Sequence, residues 1–368
     1  MSAPCVMLAA GGTGGHLFPA YAVAEELIRR GYEIDLITDM RGDRYGTGFP
    51  ARKVWQVHAA TPGRGGLGNY VRAGTRIASG VFGALGIIGG VKPVAVVGFG
   101  GYPSIPPVIA ARLRGLPVLI QEQNAVMGRA NRQLARIASR VALSFEQTRY
   151  AGTGGKYIVT GIPVRGQVLE ASARAYEPPE RARHFNLVVF GGSQGARFFS
   201  EAVPPALAQM PEELRKRLRV VQQCREEDLE EVRDIYKSAG IRAELAAFFP
   251  GLPARIAASH LVVARSGAST VAELAVLGRP AVLVPLPHAL DNDQLENATR
   301  LAGAGGAWVA PQREFTPERF SRDLATLMGE PDRLATAAAA AKAMGKPDAA
   351  ARLADAIEDL AGRGQRQT

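Results

Sequence analysis

Val6-Met-Leu-Ala-Ala-Gly11-Gly12-Thr13-Gly14-Gly15 and Leu187-Val-Val-Phe-Gly191-Gly192-Ser193-Gln194-Gly195 share one pattern, 180 residues apart. Each is a short apolar run, a GG[T/S]xG turn and then a helical pattern. The apolar run reads as a buried strand. Glycines between a strand and a helix let the backbone approach an anion, which the N–H groups and dipole of the helix N-terminus then hold. Neither loop is a dinucleotide fingerprint. G-x-G-x-x-G begun at Gly12 would need glycine where Leu17 stands, and begun at Gly191 where Ser193 stands. No G-x-x-x-x-G-K-[S/T] occurs, which sets aside a P-loop nucleotidase. A tight strand-to-helix turn also needs glycine, so either loop alone decides little.

Outward from these two loops the same alternation continues. Pro4–Ala10, Glu33–Thr38, Pro93–Gly98, Pro117–Ile120 and Val141–Ser144 read as buried strands, with helices near 17–30, 103–114 and 128–138. A second series has strands at Asn186–Phe190, Arg219–Gln222, Leu261–Ala264, Ala281–Val284 and Ala307–Val309. Its helices lie near 197–208, 226–238, 269–277, 291–303 and 317–328. Continuous apolar strands alternating with helices mean parallel sheets covered on both faces. The expected fold is therefore α/β, two Rossmann-like domains facing a cleft. The boundary falls near Gly161-Ile-Pro-Val-Arg165, giving domains of 1–163 and 164–346, and a further helix follows Pro347. A chain of 368 residues suits two such domains.

Composition narrows the function. The chain is 47% hydrophobic and 21% charged, as a globular protein is. Cys5 and Cys224, its two cysteines, give no disulfide framework and no metal cluster, which fits a reducing compartment. Residues 1–165 hold 19 Lys+Arg against 8 Asp+Glu, whereas 166–368 hold 25 against 26. The net charge of +10 thus belongs to the first half, which implies an anionic partner there. The start of the chain lacks a basic region and reads as a first strand rather than a signal peptide. Ile77–Val91 is uncharged for 15 residues, short of the ~20 that span a bilayer. With Arg64, Arg72 and Arg76 before it, the segment reads either as an interfacial membrane contact or as a buried helix.

Six segments at the carboxyl ends of strands carry chemistry, and ligands of open α/β sheets bind there. His16 follows the first loop, and a neutral imidazole of pKa ~6.5 suits proton removal from a hydroxyl. Gly98-Phe-Gly-Gly-Tyr-Pro103-Ser104 is a third glycine loop, with Pro103 fit for a first helical turn. Gln121-Glu122-Gln123-Asn124 closes a strand with groups that both donate and accept, as sugar hydroxyls require. Arg265-Ser-Gly-Ala268-Ser-Thr-Val-Ala-Glu273 offers helix amides to a phosphate and Glu273 to two ribose hydroxyls. His288-Ala-Leu-Asp291-Asn292-Asp293-Gln294 is dense in sugar-compatible groups. Each segment also has a plain reading as a cap or turn.

A serine hydrolase is the main competitor, because Gly191-Gly-Ser193-Gln-Gly195 formally matches a G-x-S-x-G elbow with His260 or His288 downstream. That reading leaves the matching loop at 11–15 without a role. A nucleic-acid binder is disfavoured, since the basic half lacks a dense Lys/Arg run with interleaved aromatics. A glycosyltransferase accounts for both phosphate loops, the acidic and amide groups, and the one candidate base.

GGTGGHLFPA (11–20), GFGGYPS (98–104), QEQN (121–124), GIPVR (161–165), GGSQGA (191–196), RSGASTVAE (265–273) and PLPHALDNDQLENA (285–298) occur in this order. Together they resemble the MurG family over nearly the whole chain. The resemblance implies a GT-B fold, with the C-terminal helix 347–365 packing back on the first domain. It implies inverting transfer of N-acetylglucosamine from its UDP form to the C4 hydroxyl of the muramoyl sugar of lipid I, giving lipid II and UDP. It implies no cofactor and no metal. The implied partners are UDP-N-acetylglucosamine, lipid I, an acidic phospholipid surface and, as candidates, cell-wall synthesis proteins; nucleic acid is not among them. The implied location is peripheral, on the cytoplasmic face of the inner membrane.

By matching motif, the resemblance makes His16 the base. Ser193 and the amides of its loop would hold the donor diphosphate. Arg165, Phe248 and Phe249 would meet the uracil, the 268–273 helix start (Ala268, Ser269, Thr270, Val271, Ala272, Glu273) the donor phosphate and ribose, and Gln294 the transferred sugar. Thr13, Gly14, Gly15 and Asn124 would also line the donor sugar site. Gly14 and Gly15, with Gly100, Gly101 and Tyr102, would take the acceptor diphosphate. Leu67, Tyr70, Arg72, Arg76, Ile77, Phe82, Leu85 and Ile87 would touch the membrane. Two departures stand out. Asp293 replaces the first of two amide residues, and Phe249 replaces an aliphatic residue.

Overall fold

The computed structural model describes the chain except residues 1–2, 12–13, 40–47, 60–66, 182, 288 and 366–368, and except the side chains of 67–73, 193–196, 290 and 363–365. Thr13 and His288 lie outside the described residues, as do the side chains of Leu67, Tyr70, Arg72 and Ser193. Two units result. One comprises Met1–Arg165 with Pro347–Thr368, and the other Gly166–Lys346.

The first unit runs β1 (Cys5–Ala9), α1 (Gly14–Arg29), β2 (Glu33–Thr38), β3 (Lys53–Gln56), α2 (Leu67–Val91), β4 (Ala95–Gly98), α3 (Ile105–Leu113), β5 (Val118–Glu122), α4 (Arg129–Leu134), β6 (Arg140–Leu143) and β7 (Tyr157–Val159). All seven strands are parallel, in the order β3-β2-β1-β4-β5-β6-β7. The second unit runs α5 (Gly166–Ala171), β8 (Phe185–Phe190), α6 (Gly192–Ala208), α7 (Glu212–Arg217), β9 (Leu218–Gln223), α8 (Leu229–Ser238), β10 (Arg242–Ala246), α9 (Leu252–Ala257), β11 (Leu261–Ala264), α10 (Ala268–Leu277), β12 (Ala281–Leu283), α11 (Asp293–Gly303), β13 (Ala307–Val309), α12 (Pro317–Gly329) and α13 (Pro331–Met344). Its parallel sheet has the order β10-β9-β8-β11-β12-β13, the topology of the first sheet with one strand fewer. The last helix, α14 (Ala349–Gln365), belongs to the first unit.

Three strands escaped the sequence reading: β3, β7 and β10. All are sheet edges. An edge strand needs only one apolar face and is guarded by charge. β10 accordingly reads Arg-Ala-Glu-Leu-Ala, and β3 begins with Lys53. β3 is pinned by the buried Asp35, which accepts from Arg52 Nε (3.0 Å) and Trp55 Nε1 (2.8 Å).

The helices bury apolar faces at helical spacing. On α1 the buried face is Leu17, Ala20, Val23, Ala24 and Leu27. α14 lays Leu353, Ala354, Ile357 and Leu360 into the same core. Arg30 reinforces the pair, donating to Asp355 (2.7 Å), Glu358 (2.6 Å) and the Ala351 carbonyl (3.2 Å). In the second unit the buried Arg279 caps helix ends without a carboxylate. It donates to the carbonyls of Ala257, Leu277 and Gly278, and to those of Arg174 and Ala175.

α2 is not the buried helix that was one reading of its segment. It is a 25-residue helix, and Gly74–Val91 is long and apolar enough, by length and composition alone, to cross a membrane. Among its described side chains, 74–91, only one narrow stripe, Gly80, Ala84 and Ile88, is buried. A Cβ on Gly80 would stand 2.1 Å from the His58 carbonyl oxygen, so glycine lets the helix rest on that backbone. Leu85 and Ile87 are half-buried against the core and so are not fully presented to a membrane. The solvent side is mostly small, with Ser79, Gly83, Gly86 and Gly90 around Phe82, which is 75% exposed.

Candidate active site

In each sheet the strand order reverses beside the first strand, at β1/β4 and at β8/β11. Connections leave such a point in opposite directions and open a crevice at the carboxyl ends. In the first unit α1 follows β1 and the glycine loop follows β4, so both reach this point. Gly100 and Gly101 have φ of 84° and 70°, a left-handed backbone that suits glycine. A Cβ on Gly101 would lie 3.3 Å from His16 Cδ2, and one on Gly100 3.5 Å from His16 Cε1. The loop is glycine because it wraps the imidazole. Ser104 Oγ, 2.8 Å from the Ala9 carbonyl oxygen and 2.7 Å from that of Gly100, ties the end of β1 to this loop.

The β5 end supplies the other wall. Glu122 is buried, and its carboxylate accepts from the amides of Asn124 (2.9 Å) and Gly128 (2.9 Å) and from Asn131 Nδ2 (2.8 Å). Gln123 Oε1 lies 3.1 Å from His16 Nδ1. His16 keeps some solvent exposure, yet heavy atoms surround it densely. Burial lowers its pKa below the ordinary imidazole value, partly offset by the Glu122 charge, Gln123 and the Phe99 carbonyl. The result is a neutral imidazole beside a carboxylate that would steady the charged form. Gly14, Gly15, Tyr102 and Asn124 lie in this same end of the unit. Arg165 does so as well, its guanidinium 4.3 Å from the Phe18 ring centroid on α1.

In the second unit α6 follows β8 and α10 follows β11, so two helix N-termini meet at the switch point. Gly191 and Gly267 cap them and provide no side-chain hydrogen bond. Helix N-termini without a side-chain cap favour an anion. The Gly192 amide itself donates to Gln223 Oε1 (3.1 Å). Ala268, Ser269 and Thr270 form the first turn of α10, Val271, Ala272 and the buried Glu273 the next. Gln294 is held from both ends: its Oε1 accepts from the Leu286 amide (3.0 Å), and its carbonyl accepts from Ser266 Oγ (2.8 Å).

The two departures now have places. Asp293 Oδ1 accepts from the Gln294 amide (2.8 Å), which is local work at the start of α11. Phe249 packs inward under Arg255, 4.9 Å from the ring centroid, whereas Phe248 is 74% exposed. Asp291 and Asn292 both have positive φ, a costly backbone for non-glycine residues and one that accumulates at functional loops.

Profiles of the glycosyltransferase family 28 N-terminal and C-terminal domains match residues 6–143 and 186–353. The chain belongs to glycosyltransferase family 28. A relative from Rhizobium rhizogenes, called UDP-N-acetylglucosamine–N-acetylmuramyl-(pentapeptide) pyrophosphoryl-undecaprenol N-acetylglucosamine transferase, is 50% identical over 363 residues, 99% of this chain and 97% of its own. The protein of that name from Rhodospirillum centenum is 50% identical over 366 residues, 99% and 96% of the two chains. The crystal structure of MurG from Acinetobacter baumannii superposes with a TM-score of 0.79 at 32% identity, covering 97% of this chain and 99% of that one. Within family 28 the chain is of the MurG type. The calicheamicin glycosyltransferase CalG4, at 16% identity, a TM-score of 0.66 and 99% of each chain, shares the GT-B fold.

The hydrolase reading has no support in this family 28 fold. His260 precedes β11 and so sits at the amino edge of the sheet, where its Nδ1 accepts from the Asn186 amide (2.8 Å). Ser193 opens α6 at the carboxyl edge of β8. Ser193 and His260 therefore cannot form a triad, and His288 lies outside the described residues.

Two contributors were not individually legible. Arg265 is buried beneath the α10 start, donating to the carbonyls of Val284 (3.2 Å) and Pro285 (3.3 Å) and to Gln312 Oε1 (2.6 Å). It joins the ends of β11 and β12, and burial lowers its pKa to about 10. Asn131, on α4, is drawn in by Glu122. Its only sequence signal was a polar residue on an otherwise apolar helix face.

Proposed function

We propose that this chain moves N-acetylglucosamine from UDP-N-acetylglucosamine to the C4 hydroxyl of the muramoyl sugar of lipid I, with inversion, giving lipid II and UDP for peptidoglycan synthesis. The observation that carries this is 50% identity to relatives bearing that activity in their name, over 99% of the chain. The residues supply a coherent chemistry. His16 takes the hydroxyl proton as the C1–O4 bond forms. The bond from C1 to the β-phosphate oxygen breaks on the opposite face, and its electron pair leaves with UDP. That growing charge is assigned to the two helix N-termini of the second unit, capped by Gly191 and Gly267. Such preorganised donors are worth ~10²–10³ in rate each.

No metal ion is assigned a part. The test is transfer of labelled sugar from the UDP donor to a lipid I analogue, in detergent with chelator present. Labelled lipid product is expected. Absence of product with UDP binding intact would overturn the acceptor assignment.

Glu273 is assigned the donor ribose. A charged hydrogen bond is worth ~1.5–3 kcal/mol, so Glu273→Ala should raise the donor KM by about 10–100-fold. An unchanged donor KM would refute the role.

Lipid I lies in a membrane, and the chain is assigned a peripheral place on its cytoplasmic face. α2 is the crossover from β3 to β4, and Ile88 and Ala84 sit in the core, so crossing a bilayer would dismantle the unit. Phe82, which is exposed, and half-buried Ile77 remain as apolar contacts beside Arg76. Phe82→Ser should weaken co-sedimentation with acidic vesicles several-fold without altering UDP binding, and added salt should weaken it further. Equal sedimentation of both proteins at every salt would remove α2 from the contact.

A further inference from the structure

We infer that Gln123 is a positioning residue that fixes the tautomer of His16, keeping the ring proton on Nδ1 so that Nε2 holds the reactive lone pair. The inference rests on the assignment of His16 as base. Its starting point is the orientation of one buried amide. Gln123 Nε2 lies 2.8 Å from the Phe99 carbonyl oxygen and 3.2 Å from that of Gln121. Carbonyl oxygens accept and never donate, so only the NH2 end of the amide satisfies them. The same Nε2 also meets Gln121 Oε1.

Gln121 is oriented by the same logic. Its Nε2 faces the carbonyls of Glu122 (3.4 Å) and Gly161 (3.4 Å) and Ser144 Oγ (3.3 Å). Its oxygen is thereby turned to Gln123. Two buried amides and four carbonyls thus agree on one arrangement, and flipping either would oppose oxygen to oxygen.

The consequence falls on His16. Gln123 Oε1 stands 3.1 Å from Nδ1. Two lone pairs at that distance repel, so Nδ1 must carry the hydrogen. A free imidazole favours the other tautomer, with the proton on Nε2, which cannot accept a proton. The protein therefore holds the ring in the reactive form before substrate arrives. Gly101 completes the device, because a Cβ there would lie 3.4 Å from Nε2 and occupy the approach to it.

The test is nitrogen NMR of the full chain labelled with 15N-histidine, with the His16 signals assigned by their loss in His16→Gln. The chain has five histidines, so the spectrum is resolvable. Wild type should show a protonated Nδ1 and an unprotonated Nε2. Gln123→Met, which removes the acceptor, should shift the ring toward the Nε2–H form and lower kcat by about 10–100-fold, the size typical of a lost orienting partner. UDP affinity should stay within a factor of about two, on the order of the scatter in such comparisons. Gln123→Glu keeps an acceptor at Nδ1 and should retain the Nδ1–H tautomer with kcat above that of Gln123→Met. An Nε2–H tautomer in wild type, or an unchanged tautomer in Gln123→Met, would overturn the inference. A tautomer that moves while kcat does not would sink the assignment of His16 as base and leave the tautomer inference standing.

Discussion

Replacing His16 by alanine lowers kcat by about 10²–10⁴-fold, the contribution of a positioned general base, while UDP affinity stays the same. The division follows from position. His16 belongs to the first unit, at the β1/β4 end, whereas the groups assigned to the donor diphosphate and ribose lie on α6 and α10 of the second. The wild-type rate should also show an acid limb. His16 accepts a proton only when neutral, and burial lowers its pKa, so kcat should rise with pH through a midpoint below the ~6.5 of free imidazole. His16→Ala should lose that limb. Equal loss of UDP affinity, or a limb that survives the substitution, would remove His16 from the base role.

The second large effect comes from the far end of the chain. Leu353 and Ile357 are fully buried in the core of the first unit although they follow the whole second unit in sequence. Truncating one buried Leu or Ile to Ala costs ~2–5 kcal/mol. A pair costing ~4 kcal/mol or more would consume much of the ~5–15 kcal/mol that holds a domain. Leu353→Ala with Ile357→Ala should therefore lower the melting temperature of the first unit by at least about 8 °C. Transfer should fail at the temperature where that unit melts, while UDP remains bound by the second. An unchanged melting temperature would contradict this placement of α14.

What the sequence disclosed follows physical lines. The central strands were legible because burial on both faces makes them continuously apolar. β3, β7 and β10 were not, because an edge strand is half exposed and partly charged. The glycine loops at 98–101 and 191–192 were legible as anion-binding candidates. That Gly100 and Gly101 wrap His16 was not, since the contact joins residues 84 or more positions apart. The apolar content of α2 left a membrane contact and a buried helix both open. The fold turns much of it toward α3 and the core, and the outward glycines are silent in a hydropathy reading. Amide orientation is invisible in sequence, so Gln123 appeared only as one of four polar residues closing a strand.

The proposed reaction is a single displacement at the anomeric carbon, with His16 withdrawing one proton from one hydroxyl. Its most direct test is the linkage of the disaccharide made from UDP-N-acetylglucosamine and a soluble lipid I analogue, read by proton NMR. The donor carries its sugar in the α configuration. The expected product is β-linked at O4, shown by the large trans-diaxial coupling of the new anomeric proton. An α-linked product would require two displacements through a covalent intermediate, and would contradict both the mechanism and the role given to His16.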